Sequence, residues 1–259
     1  MGFSLAPRAS DAGHRLLAFD TIGSTNAEAL ARGRAGEAGP LWVVSAHQTA
    51  GRGRRGNAWQ SLRGNLGASL LLRTAAPPAT VATLGFVAGL AVRSALECVA
   101  PGPAYRLKWP NDVLADGAKL SGILLETEIA GEARIVALGI GVNVAASPPR
   151  LPYRATSLAE LGFEVSAEEM LEALSASWVE FESIWEKGRG MARIRKLWLD
   201  AAIGLGESIA VRLGAETARG TFETIDETGQ LVLRTLNGPR AIAAGEVHFG
   251  EAATARELA

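Results

Sequence analysis

The chain has 259 residues, enough for one large domain or for one domain with a small companion, and ample for a buried core. Nearly half of it is hydrophobic (48%) and a fifth is charged, the texture of an ordinary globular protein rather than a disordered or collagen-like one. Twenty-six Lys and Arg against 27 Asp and Glu leave a formal charge of −1, which argues against bulk electrostatic binding to DNA or RNA and makes any arginine cluster a local feature.

The start, "MGFSLAPRAS", lacks the charged head and long apolar core of a signal peptide, and Ala6 breaks the myristoylation pattern. "RLLAFDTI" reads as a first strand, and "STNAEALARG" opens a helix capped by Ser24, Thr25 or Asn26. "LWVVSAHQ" is a β-rich run leading into "QTAGRGRRGNAWQ", and "LGASLLLR" is the next strand. "VATLGFVAGLAVRSALECV" has helical length and period, bounded by Pro77-Pro78 and Pro101; within it Cys98, the one cysteine, is expected to be a small core residue. A single cysteine excludes an internal disulfide, and the scattered His14, His47 and His248 lack metal-site spacing. No segment reads as a membrane span, so the cytoplasm is the expected compartment and no membrane partner is expected.

"AYRLKWPNDVLA" is a strand entering a turn, because Pro110 blocks pairing and Asn111-Asp112 is turn chemistry. "AKLSGILLETEIA" and "EARIVALGIGVNV" make an antiparallel hairpin, and "ASPPRLPYRATS" is a loop. "SAEEMLEALSASWVEFESIWEKG" is a helix with a Ser166–Glu169 capping box and Gly188 as its stop, followed by a second helix, "MARIRKLWLDAA". After residue 204 the texture changes to short β runs with turns at Glu227-Thr228-Gly229 and Asn237-Gly238, a small β-barrel. Strands that follow one another without crossover helices predict an α+β fold with a mixed, mostly antiparallel sheet and packed helices. The expected division is a catalytic domain over 1–204 and a C-terminal domain over 205–259.

Four short stretches carry polar chemistry. In Gly51–Trp59, glycines let backbone N–H groups approach a ligand while Arg52, Arg54 and Arg55 offer planar forks for phosphate or carboxylate. The stretch is neither a Walker A loop nor a Rossmann turn, and taken alone it also reads as a solvated loop. In "KWPNDV", Lys108, Asn111 and Asp112 sit at a strand end, or else form a plain turn with Trp109 in the core. Lys119 opens the apolar "KLSGILLE", where it can face an anion or solvent, and Gly122 lets a ligand lie on the backbone. In "GIGVNV", Gly139 and Gly141 alone suggest a β-bulge, and Asn143 could read a base edge or a sugar.

In this order, with Ser24-Thr25-Asn26 upstream, these stretches resemble the biotin protein ligases; "ATSLAEL" and the terminal β run fit as well, so the resemblance spans nearly the whole chain. It implies a class II synthetase-like (biotin–lipoate ligase) fold with a small SH3-like C-terminal barrel. It implies a two-step reaction: biotin attacks the α-phosphate of ATP, with Mg²⁺, to give biotinyl-5′-AMP and pyrophosphate, and biotin then passes to one lysine of a biotin carboxyl carrier protein or carboxylase domain. By match to the family motifs, Ser24, Thr25, Asn26, Gln48, Gly51, Arg52, Lys119, Gly122, Ile123 and Gly141 are expected around biotin. Arg52, Arg54, Arg55, Gly56, Trp59, Lys108, Asn111 and Asn143 are expected around ATP or the adenylate, with Trp59 stacking on adenine. Lys119, Arg54 and Asp112 are the expected catalytic residues, and Asp112 either holds Mg²⁺ or orients the acceptor lysine. The arginine loop is expected to close over the ligands.

Two departures from the family pattern stand out. Asn57 replaces a residue that is often basic, and the ligase pattern begins within the first twenty-five residues, so the type without an N-terminal DNA-binding domain is expected, with no nucleic-acid partner and a monomer or weak homodimer as its state. The alternatives are a lipoate ligase or octanoyl transferase, whose glycine-triplet stretch is absent, and a nucleic-acid module built on the Arg/Gly strip, which the balanced charge disfavours.

Overall fold

A computed structural model describes residues 2–249; the last ten residues of the expected C-terminal domain lie outside the described residues. In chain order the elements are α1 (Pro7–Asp11), β1 (Arg15–Phe19), α2 (Thr25–Arg34), β2 (Leu41–Ser45), β3 (Leu66–Thr74), α3 (Pro78–Ala82), α4 (Leu84–Val99), β4 (Tyr105–Lys108), β5 (Asp112–Ala115), β6 (Ala118–Ala130), β7 (Ala133–Val142), α5 (Ala167–Trp185), α6 (Met191–Ala201), β8 (Ser208–Leu213), β9 (Glu216–Ile225), β10 (Leu231–Thr235), β11 (Gly238–Ile242) and β12 (Glu246–His248). Strands β1 to β7 form one sheet in the order β1-β2-β3-β7-β6-β5-β4, and β8 to β12 form a second in the order β11-β10-β9-β8-β12. Only β1–β2 is parallel, joined through α2; every other named pair is antiparallel. The α+β expectation therefore holds.

The large sheet is covered on both faces, which is why β2 reads as an unbroken apolar run with all five residues buried. On one face α2 packs Ala29 and Leu30 against Val43, Leu71, Ile135 and Ala137. On the other, α4 and α5 pack Phe86, Val87, Leu90, Met170, Leu174 and Trp178 against Trp42, Leu70 and Leu138. Each such aliphatic side chain contributes about 1.5–3 kcal/mol on burial. The stretch Pro78–Val99 is long and apolar enough to cross a bilayer, but 67% of its most apolar window is buried inside this fold, as befits a core helix.

Some expectations need correction. Cys98 is exposed, because it falls on the side of α4 turned away from the sheet and α5. The helix before it is interrupted at Thr83, whose Oγ1 donates to the Thr80 carbonyl at 2.6 Å and takes the Trp185 indole N–H at 2.8 Å. Helix α5 has both halves of its capping box, yet it stops at Glu186 in the left-handed region (φ 48°), two residues before Gly188. No bulge forms at Gly139 or Gly141: β7 runs in unbroken register against β3 and β6, and the irregularity falls between β5 and β6, at Val113/Leu114.

The second sheet docks on the first body through buried contacts. Trp109 is 2% exposed and its indole N–H donates to the Gly229 carbonyl at 3.1 Å, while Arg195 Nε donates to the Ile225 carbonyl at 2.6 Å. Trp109 is thus a core residue of the junction.

Asn65, fully buried just before β3, organises the end of the hairpin. Its Oδ1 accepts from the backbone N–H groups of Val144 (3.0 Å), Ala145 (2.9 Å) and Ala146 (3.1 Å), and its Nδ2 donates to the Ala146 carbonyl at 2.8 Å. Asn65→Ala strands several of these groups, at about 1–3 kcal/mol apiece. A loss of about 3 kcal/mol in chemical denaturation is expected; a loss under about 1 kcal/mol would contradict this role.

Candidate functional site

A cleft of about 470 Å³ opens over the large sheet between the arginine loop, the turn after β4 and the last strand of the second sheet. Its floor is a pair of glycines. Gly122 of β6 and Gly141 of β7 stand opposite each other in register, and Trp59 lies across both. A Cβ on Gly122 would come within 3.1 Å of the indole ring, and one on Gly141 would overlap it. Glycine is needed here for approach, not for backbone conformation, since neither residue has a positive φ. The Trp59 indole N–H is buried without a hydrogen-bond partner, a donor left open at the floor.

One wall is a network of hydroxyls and amides. Ser24 caps α2, its Oγ accepting from the Ala27 N–H, which sets Thr25 and Asn26 in the first turn above the sheet. Gln48 Oε1 accepts from the Thr25 backbone N–H at 2.9 Å and lies 3.1 Å from Thr25 Oγ1. Ser69, buried on β3, reaches Asn26 Oδ1 at 2.6 Å and Thr25 Oγ1 at 2.7 Å. Gly139 stands beside Ser69 in register, and a Cβ there would meet Asn26 Oδ1 at 2.5 Å. The wall is thus knit together by hydrogen bonds, with the Gln48 amide Nε2 against Gly67.

The opposite wall is cationic. Lys119 Nζ is 2.7 Å from Asp112 Oδ1, an ion pair with both side chains largely buried, and it lies over the Tyr153 ring at 5.4 Å. Although Asp112 Oδ1 has no aligned hydrogen bond, its distance to Lys119 makes the charge contact firm. Asn111 pins the turn to β6, donating from Nδ2 to the Ile123 carbonyl at 2.7 Å and accepting through its carbonyl from the Ile123 N–H at 2.9 Å. Its Oδ1 accepts from Arg54 Nη1 at 3.2 Å, so the turn orients the loop arginine. Burial, then the neighbouring Arg55, pushes the Arg54 pKa down against the pull of Asp112 and Glu246. Burial also lowers that of Lys108, with Lys119 adding to the shift and Asp112 and Glu246 opposing it. Charges held this way are stabilised by an incoming anion. Among the described residues, Arg52, Arg54, Arg55, Lys108, Lys119, Arg154 and Arg212 line the cleft against the acids Asp112 and Glu246.

The arginine loop is an ordered turn. Arg52 bridges Ala58, the Gly53 N–H donates to the Asn57 carbonyl at 2.7 Å, and Arg55 adopts a left-handed conformation (φ 56°). Asn57 serves this turn through its backbone while its side chain is exposed.

Ser24, Thr25, Asn26, Gln48, Arg52, Arg54, Arg55, Trp59, Lys108, Asn111, Asp112, Lys119, Gly122, Ile123 and Gly141 all line this cleft. Gly51 and Gly56 do not; Gly51 packs beneath Trp59, where a Cβ would meet the Trp59 carbonyl oxygen at 2.5 Å. Asn143 is also off the cleft: it is 2% exposed, and its Nδ2 donates to the Thr156 carbonyl at 3.0 Å, bracing the 155–158 segment. Trp59 lies on the glycine floor expected for biotin, not in an open stacking position.

The residues not anticipated are Ser69, Glu126, Tyr153, Arg154, Arg212, Glu246, His248 and Phe249. Ser69 had a signal, a lone polar residue in an apolar strand; the last four had none, because they reach the cleft only through docking of the second sheet, with Lys108 Nζ 5.6 Å from the Phe249 ring centre. Burial, then Lys108 and Arg212, lowers the His248 pKa below its ordinary 6.5 against the pull of Glu246. A histidine shifted down gives stability that is complete above the unfolded-state value and is lost as pH falls from there through the folded-state value. Thermal stability is therefore expected to decline as pH drops below about 6.5, with a shallower decline in His248→Gln. An equal slope in the variant would contradict this.

The family model described as "Biotin/lipoate A/B protein ligase family" matches residues 20–143, and that described as "Biotin protein ligase C terminal domain" matches residues 204–250. A biotin–[acetyl-CoA-carboxylase] ligase of Paracoccus denitrificans is 43% identical over 88% of this chain and 97% of that protein. One from Mycobacterium tuberculosis is 35% identical over 87% of this chain and 85% of its own length. Among solved structures, the biotin protein ligase of Aquifex aeolicus in complex with biotin and ATP superposes with a TM-score of 0.74 at 29% identity, covering 90% of this chain and 97% of that one.

Proposed function

The chain belongs to the biotin protein ligases, and we propose from its cleft how it activates biotin with ATP and passes it to a lysine of a carboxylase carrier domain. The observation that carries the assignment of roles is the joining, over one glycine floor, of an amide-and-hydroxyl wall to a cationic wall. Biotin has those two ends: a ureido ring with one carbonyl acceptor and two N–H donors, and a carboxylate.

The ureido ring takes the Thr25–Gln48 wall, which Ser69 braces from behind and whose oxygens and amide match its donors and acceptor. The valeryl chain crosses Gly122 and Gly141, so the Trp59 indole lifts from the floor when biotin enters and its open N–H becomes available to ligand. The carboxylate then reaches Lys119. Attack on the α-phosphate brings anion to anion, and the barrier falls when fixed cations face the charge that develops. Lys119 bridges the two reacting anions, while Arg54 and Arg55 take the phosphates from the loop and Lys108 from the turn. Closing the loop shields the mixed anhydride from water.

A Mg²⁺ ion bound to the triphosphate would help neutralise its charge. Among the described residues no cluster of three or more metal-ligating side chains could hold a resident ion, and Mg²⁺ commonly takes one or two carboxylates plus substrate oxygens. Asp112, already in the cationic wall, is the carboxylate placed for that contact. Residues 1–204 form the catalytic unit, and the unit beginning at 205 contributes Arg212, Glu246 and His248 to the nucleotide side of the cleft.

The test is exchange of radiolabelled pyrophosphate into ATP by purified protein with Mg²⁺. Exchange that depends on biotin is expected. Exchange with lipoic acid in its place, or none with either acid, would overturn the reading.

A further inference from the structure

We propose that Glu126 is a positioning residue for biotin capture: its carboxylate holds the arginine loop and the amide wall of the pocket in one register. The idea rests on the ligase reading above. Glu126 closes the "KLSGILLE" stretch, and no step of the reaction as described uses it.

Its two oxygens are divided between two walls. Oε1 takes Arg52 Nη1 at 2.9 Å, from the loop, and Oε2 takes Asn26 Nδ2 at 2.8 Å, from the first turn of α2. A carboxylate only accepts, so it fixes which end of the Asn26 amide faces β6 and leaves Asn26 Oδ1 to the Ser69 hydroxyl. Asn26 Nδ2 also lies 3.4 Å from the Leu124 carbonyl, an acceptor on the same strand. The chain of contacts runs from loop to strand to helix to pocket wall: Arg52, Glu126, Asn26, Ser69, Thr25, Gln48; Ser69 gives its one proton to Asn26 Oδ1 and takes that of Thr25, and Gln48 is held by the Thr25 backbone N–H. Gly139 keeps the space that Asn26 needs.

An amide cannot replace this carboxylate. In Glu126→Gln the single carbonyl oxygen serves either Arg52 or Asn26, and the NH₂ group then faces a donor on the other side. The variant is isosteric, and the Glu126 side chain is 27% exposed, so the fold survives. Loss of one charge-assisted contact corresponds to about a tenfold effect.

Calorimetric titration of biotin into purified protein is the measurement. Glu126→Gln should raise the biotin Kd about tenfold and leave pyrophosphate exchange at saturating biotin and ATP near the wild-type rate, a KM effect without a kcat effect. Arg52→Ala removes the loop side of the same contact together with Arg52's own place in the cleft, so Glu126→Gln should add little further loss in that background. Trypsin should cleave after the loop arginines faster in ligand-free Glu126→Gln than in the wild type. An unchanged Kd, or fully additive effects, would overturn the proposal. Should Glu126→Gln fail to fold, Glu126→Asp tests the same contact: it keeps the charge, is one methylene too short to reach both Arg52 and Asn26, and should show the same rise in Kd. Failure of the wild type itself to bind biotin would count against the ligase reading instead.

Discussion

Lys119→Ala leaves a folded protein that makes adenylate about 10²–10³ times more slowly at saturating biotin and ATP, the size of effect seen when one preorganised group facing developing charge is removed. The reason lies in where Lys119 stands. It is the second residue of β6, with its backbone N–H donating to the Arg154 carbonyl at 2.9 Å and its carbonyl accepting from the Thr156 N–H at 3.0 Å, so the side chain leaves a fixed point and meets Asp112 across the β5–β6 pair. Removing a partner from a buried ion pair is usually costly. Here Lys108 also acts on Asp112, so the carboxylate keeps a cation nearby and the fold tolerates the change. Circular dichroism should be unchanged while pyrophosphate exchange collapses. Exchange within about threefold of the wild type would refute the role given to Lys119.

The second large effect is expected at the floor. Gly141→Val puts a branched side chain where Trp59 now rests and where the biotin chain is placed, directly opposite Gly122. Its backbone is ordinary extended strand, so valine is tolerated by β7 itself; the clash is with the occupant of the cleft. The protein should fold, with Trp59 displaced, and the KM for biotin should rise about a hundredfold or more, an effect of roughly 3 kcal/mol. Unaltered biotin dependence would mean that the substrate does not cross this floor.

The fold was legible where one signal dominated. Capping by Ser24 and Ser166 and the apolar runs of the strands each have a local cause, and the structure keeps them. Cys98 was misread because apolar neighbours say that a helix is buried but not which of its sides faces solvent. The glycines of "GIGVN" were misread as a bulge because closeness to Trp59 and Asn26 is a tertiary fact, whereas φ freedom is a local one. Much of the site could be gathered from motifs, since Lys119, Asp112, Asn111 and Arg54 sit at strand ends and turns that the sequence marks. Asn143 shows the limit: it belongs to a conspicuous motif, yet its side chain braces a loop behind the cleft. His248 and Arg212 show the other limit, because only the docking of Trp109 and Arg195 on the second sheet brings them to the cations of the first.

The most direct measurement is transfer itself. Purified protein is mixed with ATP, Mg²⁺, an apo carrier domain of a biotin-dependent carboxylase, and biotin or lipoic acid, and the carrier is weighed by mass spectrometry. One biotinyl group on a single lysine is expected, dependent on ATP and absent with Lys119→Ala. A carrier left unmodified by biotin, or modified only by lipoic acid, would contradict it.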